Sequence, residues 1–81
     1  MAQSSRRLFG DRRDPAAVLA AAFGVAETAG PPEAALAWAR RILEREEIDP
    51  ARKPVRAIAA LRRDRDLGLA PTKWLVEQLG K

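Results

Sequence analysis

Apolar residues recur along this chain at helical spacing, in four stretches separated by Pro and Gly. Between residues 15 and 28, Val18, Leu19, Ala22, Phe23 and Ala26 fall on one helical stripe. Asp14-Pro15 is a start signal, with Asp as N-cap and Pro at the first helical position. Gly24 lies inside that span, where Gly costs about 1 kcal/mol relative to Ala, and it marks an expected close helix crossing. Ala29-Gly30-Pro31-Pro32 then separates this helix from a second over residues 32–47. In the second helix Ala35, Leu36, Trp38, Ala39, Ile42 and Leu43 form an apolar arc; Arg40, Arg41, Glu44 and Arg45 lie largely outside it. Asp49-Pro50 breaks the pattern and Pro54 restarts it, because a Pro deep in a helix removes a hydrogen bond and clashes.

A third helix is expected over residues 54–66, with Val55, Ile58, Ala59 and Leu61 inward. A turn at Leu67-Gly68-Leu69 follows, with Gly68 free to take positive φ and the two leucines pinning the helices together. A fourth helix starts near Pro71, where Thr72, Leu75, Val76 and Leu79 keep the i, i+3, i+4, i+7 spacing, and Gly80 ends it. The expectation is an all-α domain over residues 14–81, four short helices as two helical hairpins. Residues 1–13 are polar, Arg-rich and without helical periodicity, and read as a flexible basic arm. Leu8 and Phe9 are its exceptions, with a possible role in folding back onto the first helix.

Composition supports this class. Ala (17 residues) and Arg (12 residues) dominate the 81-residue chain, and both are strong helix formers. A domain of this size carries a net stability of roughly 4–12 kcal/mol, which leaves little for a deep, strained active site. The chain has no Cys and no His. Disulfides, thiolate chemistry, the usual zinc sites and His-based acid–base catalysis are therefore excluded. The few hydroxyls, Ser4, Ser5, Thr28 and Thr72, lack the His that activates a nucleophile. No Asp/Glu pair stands out, so no enzyme, cofactor or metal site is expected. With no apolar run of membrane-spanning length and no signal-peptide pattern, the expected location is cytoplasmic, without a membrane partner.

Charge is unevenly distributed. Residues 1–13 sum to +3, residues 14–47 to −3 and residues 48–81 to +4. The two halves attract each other, or they are simply solvated faces, or a basic surface awaits an acidic partner. Placing a helix-turn-helix DNA reader on Gly24 puts Gly30-Pro31-Pro32 inside the recognition helix and breaks it. Placing it on Gly68 puts Asp64 where a small packed residue is needed. Non-specific phosphate contact remains, through Arg6, Arg7, Arg12 and Arg13 of the arm and a third-helix ridge of Arg52, Arg56 and Arg63.

Residues 60–77 resemble the helical hairpin in the C-terminal domain of the bacterial ribosomal stalk protein. The matching residues, without a gap, are Ala60, Leu61, Arg62, Leu67, Gly68, Leu69, Lys73, Leu75, Val76 and Glu77. Upstream, Val55 and Ile58 also match apolar positions. The resemblance covers under a third of the chain and does not include the strands of the stalk domain. It implies a hairpin surface that docks a protein through exposed Lys and Arg, and Arg62 and Lys73 match such positions. Ala59, Ala70 and Pro54 stand where that family has Lys, so about half the basic docking surface is missing.

Two functional expectations follow. The first is a small protein-interaction module of unknown partner, binding through the third and fourth helices with Arg56, Arg62, Arg63, Lys73 and Trp74. Trp74 lies off the buried stripe, so it either packs on the first or second helix or serves as an exposed anchor. The second is a nucleic-acid- or ribosome-associated binder using the arm and the Arg ridge. A homodimer completing the core of four short helices stays open beside both.

Overall fold

The computed structural model describes residues 14–81; the arm, with Arg6, Arg7, Leu8, Phe9, Arg12 and Arg13, lies outside the described residues. Four helices are formed: α1 (Pro15–Phe23), α2 (Glu33–Glu46), α3 (Pro54–Asp64) and α4 (Leu69–Leu79). There is no strand among the described residues, and the fold is all-α. None of these helices is long and apolar enough to cross a membrane.

Local chemistry sets each boundary. The Asp14 carboxylate accepts from the Ala16 N–H at 3.0 Å and caps α1. The helix then stops at Gly24, well short of residue 28. Gly24 takes the left-handed conformation, φ 65°, and the Val25 N–H donates back to the Ala20 carbonyl at 3.0 Å. Gly24 is thus a terminator, not an interior residue. No atom lies within 4 Å of where its Cβ would be, so it marks no close crossing, and Ala26 lies outside the helix and exposed.

α2 ends by the same device without a glycine. Glu47 sits at φ 58°, and the Ile48 N–H reaches the Leu43 carbonyl at 2.9 Å. Ile48 then packs against the core, which holds Glu47 in a conformation that non-Gly residues seldom adopt. Asp49 turns the chain toward α3: its carboxylate accepts from the Ala51 N–H at 2.9 Å and its carbonyl from the Lys53 N–H at 2.8 Å.

On α3 the inward stripe is Ala57, Ala60 and Leu61, with Ile58 half-buried. Val55 is 77% exposed and Ala59 is exposed, against the expectation that both face inward. Residues 57, 60, 61 and 64 share one face, and position 55 lies about 200° around the helix from 57. The fourth member of that face is Asp64, whose contribution is polar, so hydropathy alone centres the stripe wrongly.

α4 begins at Leu69, two residues before Pro71. Pro71 is tolerated in the first turn because N–H groups there have no intrahelical acceptor. Leu69 is 56% exposed and pins nothing, which corrects its expected role. The lock is made instead by half-buried Leu67 and by buried Pro71 and Thr72. The Thr72 hydroxyl donates to the Gly68 carbonyl at 2.7 Å.

Leu19, Leu61 and Leu75 are fully buried, and the core joins them to Trp38, Ile42, Leu43 and Val76. α3 and α4 form the tightest pair. α1 lies more against α4 than against α2, so the first hairpin is open, and α4 touches all three other helices. At its end Gly80 comes close to the backbone of the α2–α3 connection: a Cβ there would sit 3.3 Å from the Ala51 Cα.

Candidate functional site

Two constellations gather around the C-terminal end of α3 and the turn that follows it, and one groove lies between α1 and α4. The first constellation surrounds Trp38. Its indole N–H donates to the Asp64 carboxylate at 2.8 Å. Its ring meets Phe23 of α1 at 5.7 Å between centroids, tilted by 52°. Arg65 lies over the Phe23 ring at 4.6 Å, and Arg45 approaches Asp64 at 4.0 Å. Three helices and the start of the α3–α4 turn are tied together here. Asp64 stands at the C-terminus of α3, where the helix dipole disfavours a carboxylate. The indole N–H and the Arg45 guanidinium are the contacts that favour it, and this is a structural role.

The second constellation is the turn before α4. Asp66 accepts from the Gly68 N–H at 3.0 Å and from Arg62 Nε at 3.2 Å. The Gly68 hydrogen bond and the Arg62 guanidinium hold the Asp66 carboxyl below its ordinary value. Folded below unfolded means that this brace is present above the ordinary carboxylate range and is lost as pH falls through the lowered value. In an NMR titration the Gly68 amide should therefore follow a carboxyl titrating below the free-Asp value of about 3.9. Asp66→Asn should abolish that titration; a Gly68 amide insensitive to acid would contradict the brace. Asp66 was not singled out in the sequence, although Asp two residues before Gly is a turn signal that could have flagged it.

The groove runs between α1 and α4 and has a volume of about 600 Å³. α4 contributes Ala70, Lys73, Trp74 and Glu77. The facing wall is Asp14, Pro15 and Ala16, and the α1–α2 connection adds Glu27, Thr28 and Ala29. Trp74 is half-buried, packed on the core from one side and lining the groove with the other. Its position is thus intermediate between full packing and full exposure. Its surroundings hold three carboxylates, Asp14, Glu27 and Glu77, against the single ammonium of Lys73. None of these four makes an ion pair within 4.0 Å among the described residues.

The five residues expected to form one partner surface are not brought together in one groove. Lys73 and Trp74 line the α1–α4 groove. Arg63 lines a separate depression with Arg45 and Glu46 of α2. Arg62 is engaged by Asp66, and Arg56 is exposed on α3. The physical reason is helical phase: positions 56 and 63 lie on the side of α3 away from 62, and 73 and 74 lie toward α1. Arg52 precedes α3, in the connection, so the ridge begins off the helix. Arg52, Lys53, Arg56 and Arg63 are all exposed, with no carboxylate within 4.0 Å among the described residues. The groove's acidic side, Asp14, Glu27 and Glu77, was missed because its members are far apart in sequence and only the packing of α1 on α4 assembles them.

Among the described residues no cluster of carboxylates is arranged to hold a metal ion. In comparisons with known proteins, no family model, no curated protein and no solved structure matches the chain.

Proposed function

We propose that this protein is a small helical docking module that takes a peptide segment of a protein partner in the α1–α4 groove. The observation that carries this reading is Trp74, a large aromatic kept half-exposed in an open groove of about 600 Å³. Ligand-sized sites span roughly 300–1,000 Å³. Trp is enriched among residues that dominate binding energy, because it gives large apolar contact at small entropy cost. The indole, Pro15 and Ala70 offer an apolar strip, and the carboxylates beside it favour a segment that carries both an apolar anchor and positive charge. Lys73 supplies one cationic end and so an orientation along the groove. The stalk-like resemblance supports protein docking by this hairpin in general terms. The face argued here differs from the stalk surface, since Arg62 is engaged within the turn.

Selection of a displayed random-peptide library on the full chain tests the assignment. Enriched peptides should combine Lys or Arg with an aromatic or aliphatic residue. Trp74→Ala should weaken the best of them by about 2 kcal/mol, roughly thirtyfold in Kd. Peptides bound equally well by wild type and Trp74→Ala would remove the groove from consideration.

The unpaired ridge of Arg52, Lys53, Arg56 and Arg63 favours a second reading, contact with a phosphate backbone. That reading requires binding to a generic duplex that falls steeply with salt and is lost on Arg52→Glu with Arg56→Glu. Duplex binding unchanged in that variant would exclude the ridge.

A further inference from the structure

We infer that the α1–α4 groove is the dock for the chain's own segment 1–13, held in cis, with Leu8 and Phe9 against Trp74 and the arginines beside the acidic residues. The inference rests on the groove being a binding surface, and it names the occupant of the free chain.

Three observations carry it. The first is connectivity. Asp14, the residue that follows the segment, is itself a wall of the groove. The segment therefore leaves the domain at the groove's edge. Phe9 is five residues from Asp14, and five extended residues span up to about 18 Å, so its ring has ample reach to Trp74 on the facing wall. The second is charge. Asp14, Glu27 and Glu77 outnumber Lys73, while segment 1–13 carries Arg6, Arg7, Arg12 and Arg13 against Asp11 alone. Opposite charges at short range favour the closed arrangement, and the short tether sets an effective concentration on the millimolar scale. The third is the anchor. Leu8-Phe9 is the only pair of large apolar residues side by side in an otherwise polar, Arg-rich segment, and the groove offers an indole face flanked by Pro15 and Ala70. A segment so placed competes with any outside peptide of the same chemistry, so the module is self-masked until a partner displaces it.

The chain has no Cys, so Ser5→Cys accepts a single nitroxide label on the full-length protein. The two Trp indole N–H resonances are read by NMR and assigned with Trp74→Phe. The Trp74 resonance should be broadened severalfold more in the labelled chain than in the same labelled chain carrying Leu8→Ala and Phe9→Ala. Trp38, committed to Asp64, should respond far less to that change. Equal Trp74 broadening with and without Leu8 and Phe9 would overturn the proposal, since the tether alone would then explain it. So would broadening in an isotope-labelled chain mixed with a separate spin-labelled chain, which would place the segment of a second copy in the groove. Neither outcome touches the peptide selection, in which Trp74→Ala decides on its own whether the groove binds at all.

Discussion

Replacing Trp38 by Ala should lower the unfolding free energy by about 3–5 kcal/mol. In a domain whose whole margin is roughly 4–12 kcal/mol, that leaves a marginal or unfolded chain. The size of the effect follows from what the side chain joins. Trp38 is 7% exposed, meets the Phe23 ring of α1 at a tilt of 52°, and donates to Asp64 at the end of α3. Truncation opens a cavity at the point where three helices meet and strands the Phe23 ring. Trp38→Phe separates the two contributions. It keeps an aromatic ring against Phe23 but drops the N–H, and the remaining loss should be about 1 kcal/mol plus the smaller ring's cavity. In that background Asp64→Ala should cost little more, whereas in wild type it should cost about 1 kcal/mol. Urea unfolding followed by circular dichroism measures all four corners of this cycle. A Trp38→Ala chain within about 0.5 kcal/mol of wild type would show that the helices are joined elsewhere.

Gly68→Ala should be the second large loss, about 1–3 kcal/mol, and its origin is purely in the backbone. Gly68 has φ 95° and ψ 161°, a region open essentially to Gly alone. Space is not the obstacle, since an added Cβ would meet only the Pro71 Cδ at 3.7 Å, an ordinary contact. Gly24 provides the contrast. At φ 65° and ψ 37° it lies in the left-handed helical region, which Asn tolerates. Gly24→Asn should therefore recover most of what Gly24→Ala loses, while Gly68→Asn should recover little of the loss at Gly68. Thermal melts of the four variants decide this. Rescue by Asn at position 68 would mean that the turn relaxes into a different conformation.

The helices were legible where a start or stop residue is explicit. Asp14-Pro15 opens α1, Pro54 opens α3, and Pro31-Pro32 separates α1 from α2. The arcs of α2 and α4 were legible because their buried positions are all apolar or, at Thr72, satisfied within one turn. α3 was misread because Asp64 belongs to its inward face, which hydropathy cannot register. α1 was overextended because the sequence does not say whether Gly24 continues or caps; the hydrogen bond from Val25 to Ala20 decides. In the groove, Lys73 and Trp74 were found from their place outside the α4 stripe. Its carboxylates come from three distant stretches of chain, and local pattern carries no information on which strangers will be neighbours.

The central position of α4 has a consequence for biosynthesis. α4 packs on all three other helices, and it is the last of the four to be made. Until it emerges, the faces of α1, α2 and α3 that pack on α4 stay uncovered, so the nascent chain holds an incomplete core. Domains generally fold as units during synthesis. This unit therefore waits for its final helix, and its premature termination products carry an open apolar face. Such fragments are natural targets for chaperones and proteases, so any frameshift or stop before residue 69 acts on abundance before it acts on binding.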